Sequence, residues 1–269
     1  MSPASPVADL HCHTTASDGV LTIETLPAAA HRAGVDWVAV TDHDLVHPEL
    51  SAPVTVYDGI TVVRGIELRV DAGDLTVDLL GYGVDPTPEL VAELERLQTD
   101  RQQRGQRIIE RVESQLGVDL GIEPRPGIGR PHIARAIAES DAPYDVDRAF
   151  AELIGNGDPC YVARSVTPFE RGVDLLSEAA AVVGLAHPFR YPDPEAALEL
   201  TADLDAVEYD YPYDRPVDTA ALDRVCEAHG LLVTGGSDAH DETLGRAGIG
   251  DGAFDRFRRR LAQSVGIPE

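Results

Sequence analysis

Short apolar segments recur along the chain, and a His, Asp or Glu residue follows nearly every one of them within a few positions. Stretches with helical periodicity lie between most of these segments. In a β/α barrel the carboxyl ends of the strands share one face, where active sites are built. The pattern therefore predicts an α/β fold in which polar residues from distant parts of the chain converge. The segments comprise residues 7–10, 37–40, 60–63, 183–186, 206–207 and 231–234.

The first of these segments leads into two histidines. Alternate side chains of a strand share a face, so His11 and His13 are predicted to point together while Cys12 points away. Asp18 follows on a glycine-containing turn. A single buried histidine is usually a hydrogen-bonded core residue, but two imidazoles beside a carboxylate are typical of a divalent-metal site.

The same reasoning, applied to the whole chain, predicts a larger cluster. Histidines and carboxylates follow several strand ends, although they are far apart in the sequence. A centre with several metal ions is the simplest explanation for the convergence of so many imidazoles with carboxylates. His31, His47 and His229 do not fit the pattern and are left out. The predicted cluster comprises His11, His13, His43, Glu67, His187, Asp238 and His240.

The chain length of 269 residues allows one α/β barrel, or one main domain with an insertion. No apolar run approaches membrane-spanning length, and residues 1–6 lack the basic and apolar regions of a secretion signal. Cys12, Cys160 and Cys226 are too few and too scattered for a disulfide framework. They indicate buried thiols of a cytoplasmic protein.

The chain is strongly acidic, with 47 Asp and Glu against 22 basic residues and a formal net charge of −25. Every basic residue is Arg. Such a surface is typical of proteins from a high-salt cytoplasm, where salt screens the repulsion between carboxylates. An ordinary acidic protein encoded at high GC content would also favour Arg over Lys. We favour the halophilic interpretation because the acidic excess is spread along the chain.

Residues 88–165 have little strand character and predict a helical insertion. A helical pattern runs from Pro88 to about Leu116, and Arg104, Arg107 and Arg111 share one face of it. Such a row of arginines is either a solvated helix face or a positive wall over a phosphate site.

Six short motifs follow one another along the chain: His-x-His at 11–13, Ser-Asp-Gly at 17–19, Thr-Asp-His-Asp at 41–44, Gly-Ile-Glu at 65–67, Ala-His-Pro at 186–188 and Ser-Asp-Ala-His at 237–240. In this order they resemble the motifs of the PHP (polymerase and histidinol phosphatase) family, over nearly the whole chain. The insertion contains Arg-Pro-His-Ile-Ala-Arg-Ala at 130–136 and Tyr-Val-Ala-Arg at 161–164. With these segments it resembles the insertion of the branch containing 3′,5′-nucleotide bisphosphate phosphatases and RNase AM-type 5′-to-3′ exonucleases.

The resemblance implies an α/β fold, a distorted (β/α)7 barrel with a helical insertion subdomain. The barrel is expected to comprise residues 1–87 and 166–269, and the insertion, residues 88–165, is expected to cover the active site. The resemblance also implies two or three divalent metal ions, which would be Mn²⁺, Fe²⁺ or Zn²⁺.

The site residues are carried over from the family motifs. Glu67 is expected to bridge the first metal to a second, which His187 also binds. The first metal would be held by His11, His13, Glu67 and Asp238, and the third by Asp18, His43 and His240. The expected catalytic residues are Glu67, Asp238, His240 and His132, and the expected substrate-binding residues are His132, Arg164, Arg130 and Arg104.

One position departs from the family pattern. Asp78 stands before Leu-Leu-Gly-Tyr, where the family has a histidine that binds the second metal. A carboxylate is a harder and more anionic ligand, which favours Mn²⁺, Mg²⁺ or Fe²⁺ over Zn²⁺. We include Asp78 among the metal ligands. The competing interpretation is that Asp78 does not bind and the site holds two metals.

The resemblance implies a phosphoesterase in which metal-activated hydroxide attacks a phosphoryl group. The expected substrate is a nucleotide bisphosphate or the 5′ end of a short oligonucleotide, because long polyanions need an extended positive track. Histidinol phosphate is the alternative substrate within the same fold. Two competing hypotheses for the function are a metal-dependent amidohydrolase and a non-catalytic binding module. We expect no membrane partner, and the sequence does not indicate an oligomeric state.

Overall fold

The computed structural model describes residues 6–266 of the chain, so most of the N-terminal stretch considered for a secretion signal lies outside it. Nine strands lie in the described range: β1 (Ala8–Cys12), β2 (Trp37–Val40), β3 (Val54–Tyr57), β4 (Ile60–Asp71), β5 (Thr76–Tyr82), β6 (Thr167–Pro168), β7 (Val182–Leu185), β8 (Ala206–Asp210) and β9 (Leu232–Gly235). The α-helices there are α1 (Leu26–Ala33), α2 (Pro88–Leu116), α3 (Arg130–Glu139), α4 (Val146–Ala149), α5 (Phe169–Ala179), α6 (Pro194–Glu199), α7 (Ala220–His229) and α8 (Asp251–Val265).

The chain folds into two compact units. The first contains the chain up to Val91 and again from Val166 onward, and the second is Ala92–Ser165. All the strands described above belong to the first unit.

Seven strands of the first unit follow one another in the order β1-β2-β4-β5-β7-β8-β9. The pairs β1–β2, β2–β4, β7–β8 and β8–β9 are parallel. Helices join the strands of three of these pairs, as expected for parallel neighbours, whereas β3 lies between β2 and β4 in the chain. β5 is antiparallel to both of its neighbours, β4 and β7. This reversed strand is the distortion in an otherwise parallel (β/α)7 arrangement. β3 and β6 lie off this path and pair with β4.

The two ends of the strand order approach each other. A parallel bridge joins Cys12, the last residue of β1, to Ala239, four residues beyond β9. The His13 amide donates a hydrogen bond of 3.0 Å to the carbonyl oxygen of Ala239. The sheet therefore curls so that the residues following β1 and β9 lie side by side.

β4 is twelve residues long because it changes partners along its length. Its first part, up to Arg64, pairs with β2 and β3, and its second part, from Gly65, pairs with β5 and β6. The prediction that the strand ends at residue 63, with Glu67 after its end, is therefore wrong. Glu67 lies in the middle of a continuous strand, opposite Leu80 of β5.

α1 has Pro27 in its first turn and ends before Gly34, which adopts the left-handed conformation that ends many helices. The amphipathic pattern in the sequence continues from Pro168 to Val182, but α5 ends at Ala179 and Val182 already pairs with Tyr82 of β5. Leu10, Leu80 and Val182 of the sheet pack with Phe257 of α8 in one buried cluster.

The second unit has a hydrophobic core of its own. Ile108 and Val112 of α2 pack with Ile133 and Ile137 of α3 and with Leu153 in one buried cluster. Residues 146–154 are helical, and the helix changes from α-helix to π-helix at Phe150. None of the helices within residues 6–266 is both long enough and apolar enough to cross a membrane.

Candidate metal centre

The structure brings all nine predicted metal-binding residues of the barrel together. They form four overlapping groups, and within each group one ligand atom from every residue lies within 4.8 Å of the others. The groups are His13, Asp18, His43 and His240; His11, His187 and Asp238; His11, His13 and Glu67; and Glu67, Asp78 and His187.

Two carboxylates face two imidazoles at the centre of the cluster. His13 Nε2 lies 3.0 Å from Asp238 Oδ1 and 3.4 Å from Glu67 Oε2. His11 Nε2 lies 3.5 Å from Asp238 Oδ1 and 3.6 Å from Glu67 Oε1. The alternation of the first strand thus places both histidines beside the same pair of carboxylates, and the Cys12 thiol points to the opposite side, where it contacts the Ala39 carbonyl oxygen.

Asp18 organises the second part of the cluster. Its Oδ1 atom lies 3.3 Å from His240 Nε2 and 3.8 Å from His43 Nε2. His240 Nδ1 lies 3.0 Å from the carbonyl oxygen of Asp238, which accepts its N–H, so Nε2 is the nitrogen directed at Asp18. His43 Nδ1 lies 2.7 Å from Glu67 Oε2, which links the two parts of the cluster.

The charges in the cluster depend on one another. Burial alone would raise the pKa of Glu67, but His43 and His11 lower it well below its usual value. The pKa of Asp238 is likewise low, because His11 and His13 outweigh its burial. Burial would lower the pKa of His11, yet the surrounding carboxylates raise it well above the usual value. Both carboxylates are therefore ionised across the neutral pH range.

The cluster fits a divalent cation. His11 Nε2 and His13 Nδ1 are buried and make no hydrogen bond to any residue in the described range. Buried polar atoms without partners are costly, and buried carboxylates are costly unless a cation lies beside them. Imidazole nitrogens and carboxylate oxygens together are the ligands of Zn²⁺, Mn²⁺ and Fe²⁺ sites.

Glu208 supports the cluster from behind, although the sequence pattern assigned it no role. The side chain is fully buried on β8. Its Oε1 atom lies 3.0 Å from His11 Nδ1, and Oε2 accepts the His187 backbone N–H at 2.8 Å. The strand-end pattern marked position 208, but nothing in the sequence indicated that its partners would be His11 and His187.

Two other buried carboxylates hold the loops that carry ligands. Asp42 accepts hydrogen bonds from the Thr14 amide at 2.8 Å and from the Ser17 hydroxyl at 2.5 Å, which fixes the turn bearing Asp18. Asp9 accepts hydrogen bonds from the Ser237 amide at 2.9 Å and its hydroxyl at 2.6 Å. Neither carboxylate belongs to the four ligand groups.

Two arginines contact candidate ligand carboxylates in different ways. Arg190 Nη1 lies 2.9 Å from Asp238 Oδ2, to which the Tyr211 hydroxyl also donates a hydrogen bond at 2.8 Å. Asp238 Oδ1 remains directed at the histidines. Arg69 contacts both oxygens of Asp78, with Nε 2.8 Å from Oδ1 and Nη2 2.7 Å from Oδ2.

The predicted substrate-binding residues belong to the second unit. Arg104 is buried and donates a hydrogen bond of 2.7 Å to the Val162 carbonyl oxygen. Burial, together with the positive charges of Arg130 and Arg164, lowers the pKa of Arg104 to about 10. His132 Nδ1 accepts the Gly129 amide N–H at 3.1 Å, so its proton resides on Nε2.

Comparisons with known proteins agree with this architecture. The sequence matches the PHP domain family over residues 9–154, more than half of the chain. It is 30% identical over 257 residues to a 3′,5′-nucleoside bisphosphate phosphatase from Chromobacterium violaceum, covering 90% of each chain. It is also 30% identical over 249 residues to the 5′-3′ exoribonuclease Rnm of Escherichia coli, covering 87% of this chain and 85% of that one.

A solved structure gives the same result. A predicted metal-dependent phosphoesterase from Bifidobacterium adolescentis superposes with a TM-score of 0.81, at 26% identity, over 96% of this chain and 97% of that chain. The family match and the similarity to full-length relatives thus cover the strands that carry the candidate metal ligands. The chain belongs to the PHP domain family.

Proposed function

We propose that this PHP-family hydrolase hydrolyses phosphate esters of nucleotide 3′,5′-bisphosphates or, as a 5′-to-3′ exonuclease, of short 5′-phosphorylated oligonucleotides. The observation that carries the proposal is the convergence of nine metal-ligand side chains in four overlapping groups. The names of two full-length relatives, a nucleoside bisphosphate phosphatase and a 5′-3′ exoribonuclease, support this substrate class. The absence of disulfide bonds among the three cysteines is consistent with the reducing cytoplasm, where we place the enzyme.

The proposed ligand assignment uses the four groups together with the contacts of Asp238 Oδ1 with His11 and His13. His11, His13, Glu67 and Asp238 hold one ion, and Asp18, His43 and His240 hold another. Glu67, His187 and Asp78 are the residues available to a further ion, and Mn²⁺, Fe²⁺ and Zn²⁺ are the candidates. When bound, paired divalent ions lower the pKa of water and offset the charge of phosphoryl oxygens.

The protein's own groups complete the chemistry. Glu67 contacts His11, His13 and His43, so its carboxylate ties the parts of the centre together. Asp238 is held through Oδ2 by Arg190 and Tyr211, which leaves Oδ1 at the centre. We assign Asp238 and His240 the transfer of a proton to or from the reacting oxygens.

We assign phosphate recognition to His132, Arg164, Arg130 and Arg104. The low pKa of Arg104 supports this assignment, because clustered positive charge in a buried setting is relieved when an anion binds. His132 Nε2–H is a suitable donor to a phosphoryl oxygen. The assignment also distinguishes a phosphoesterase from an amidohydrolase, whose substrates need no such anion site.

The proposal is tested by measuring phosphate release from adenosine 3′,5′-bisphosphate, release of phosphate or 5′-mononucleotides from a 5′-phosphorylated oligonucleotide, and phosphate release from histidinol phosphate, with Mn²⁺, Fe²⁺ or Zn²⁺ supplied. We expect release from the first two substrates and little from histidinol phosphate. Release from histidinol phosphate alone, or hydrolysis of amides alone, would overturn the proposal.

An Arg164→Ala variant separates recognition from chemistry. We expect its KM for the bisphosphate to rise at least about tenfold, the typical effect of losing one charged hydrogen bond. An Arg246→Ala variant removes an exposed arginine of the barrel that pairs with Asp241, and it serves as the control. Unchanged kinetics in Arg164→Ala would remove this residue from the substrate site.

A further inference from the structure

Arg69 and Asp78 form a bidentate ion pair across two strands of the barrel. They lie directly opposite each other in the antiparallel register of β4 and β5, so their side chains share a face. The distances are 2.8 Å from Nε to Oδ1 and 2.7 Å from Nη2 to Oδ2. Both carboxylate oxygens of Asp78 therefore bind the guanidinium, in the geometry that makes arginine–carboxylate pairs strong.

The pair lies within one of the candidate ligand groups. Asp78 Oδ2, the oxygen that accepts from Arg69 Nη2, lies 3.8 Å from His187 Nε2. His187 Nε2 is in turn 3.0 Å from Glu67 Oε1. The Asp78 side chain is 1% exposed, and the Arg69 side chain is 37% exposed. A fixed positive charge thus already lies on the carboxylate of the Glu67–Asp78–His187 group.

Asp238 shows what a ligand carboxylate with an arginine neighbour looks like when one oxygen stays available. Arg190 contacts only Oδ2 of Asp238, and Oδ1 faces His13 at 3.0 Å. Arg69 contacts both oxygens of Asp78 instead. A divalent ion bound to Asp78 would lie beside the guanidinium, and the two like charges would repel each other.

We propose that the Arg69 guanidinium takes the place of a divalent ion in the Glu67–Asp78–His187 group, so that the chain binds two ions instead of three. This inference rests on the proposed function for its assignment of the other two sites. The Arg69 side chain then supplies the positive charge that a bound third ion would otherwise supply.

The inference is tested by metal stoichiometry. Metal-free protein is dialysed to equilibrium against Mn²⁺ in about 1 M KCl, which screens binding to the acidic surface, and Mn is counted per chain by mass spectrometry. We expect two ions in the wild type. We expect a third in Arg69→Met, because the substitution leaves the buried Asp78 carboxylate without a cation. Arg69→Lys keeps the charge and is expected to bind two.

Asp78→Asn gives an independent test that does not require Arg69 to be altered. If Asp78 held an ion, its loss would lower the stoichiometry by one, whereas we expect it to remain at two. Arg96→Met is the matched control, because Arg96 also forms a two-bond pair, with Glu93, on α2. Its stoichiometry is expected to remain at two. Circular dichroism confirms that each variant is folded.

Three ions in the wild type, loss of an ion in Asp78→Asn, or no gain in a folded Arg69→Met would overturn the inference. These outcomes are separate from those for the proposed function. Protein that binds two ions and releases no phosphate would contradict the proposed activity and leave the role of Arg69 intact.

Discussion

Glu208 Oε1 lies 3.0 Å from His11 Nδ1, and this contact fixes which imidazole nitrogen faces the candidate metal centre. The carboxylate accepts a hydrogen bond from Nδ1–H, so Nε2 is the nitrogen that faces Glu67 and Asp238 and becomes free for a metal ion when its proton is lost. The second oxygen of Glu208 holds the backbone of His187, which has a positive φ of 28°. One buried side chain thus orients two candidate ligands from different strands.

Substitution Glu208→Gln is expected to weaken metal binding about 10- to 100-fold, the usual effect of losing a carboxylate behind a ligating histidine. A glutamine amide has one acceptor oxygen, so its NH₂ group would face one of the two N–H donors that Glu208 now accepts. Isothermal titration with Mn²⁺ measures the affinity. Glu227→Gln, an exposed position on α7, is the control, and equal affinities in the two variants would show that Glu208 does not orient the histidines.

Gly236→Ala is expected to damage the centre without altering a ligand. A Cβ atom at this position would clash with the backbone nitrogen and the Cβ of His11. The backbone of the first strand would have to move, and we expect a loss of about 1–3 kcal/mol in the free energy of unfolding. We also expect weaker Mn²⁺ binding.

Gly252→Ala provides the matched comparison in urea unfolding of the metal-free protein. A Cβ there meets no atom within 4 Å, and Gly252 lies in α8. Alanine should leave stability unchanged or raise it by up to about 1 kcal/mol. Similar losses in both variants would contradict the clash with His11.

Metal affinity is expected to fall as the pH is lowered from about 8 to 6. The pKa of His11 is raised by Glu208, Asp238 and Glu67 against the effect of burial, and that of His240 is raised by Asp18. These imidazoles hold protons that a metal ion must displace, so each proton displaced costs about tenfold in affinity per pH unit. Titrations in buffers of different ionisation enthalpy count the protons released. Binding that is independent of pH would contradict the raised pKa values.

In the metal-free protein, protonation of His11 should stabilise the fold at low pH, although the same proton weakens metal binding. Because the pKa of His11 is higher in the folded than in the unfolded state, its contribution is fully present below the ordinary value of 6.5 and is lost as the pH rises through the folded value. The Glu67 and Asp238 contributions are lost instead in acid, because their folded pKa values are low. Urea unfolding as a function of pH, compared with a His11→Asn variant, isolates the histidine contribution. A wild-type profile that matched the variant's would contradict it.

Stability is expected to rise with salt. Because the net charge is −25, the carboxylates of the folded protein repel one another, and KCl screens that repulsion. If screening of an ordinary acidic surface is the whole effect, the melting temperature should level off near about 0.5 M KCl, where the Debye length is already a few ångströms. The halophilic interpretation predicts a continued rise to about 2 M. Thermal melts across this range distinguish the two interpretations.

The sequence predicted the residues of the centre better than their surroundings. His11 and His13 could be assigned because a strand alternates its side chains, and His187, Asp238 and His240 because parallel strands share one edge at their carboxyl ends. Each assignment uses only the residues in one strand and the few that follow it. The placement of these residues beside one another follows once the fold is known to be a barrel.

The roles of Glu208 and Arg69 could not be read from local pattern. Glu208 meets His11 across 197 positions of sequence, and the contact depends on the closure of the sheet. Arg69 alternates with apolar neighbours like an exposed strand residue, and only the antiparallel register with β5 places it on Asp78. The strand prediction at Glu67 was wrong for a related reason, because β4 continues only where β5 supplies a new partner.

The bridge between Cys12 and Ala239 has a consequence for how the molecule opens. His11 and His13 flank Cys12, and Asp238 and His240 flank Ala239, so the candidate ligands sit on both sides of the seam between the earliest and latest strands. A cation bound by residues on both sides would hold the ends of β1 and β9 together. When the cation is removed, the contact between these two ends should open first. Amide hydrogen exchange should then become faster around Cys12 and Ala239, while the β4–β5 hairpin stays protected.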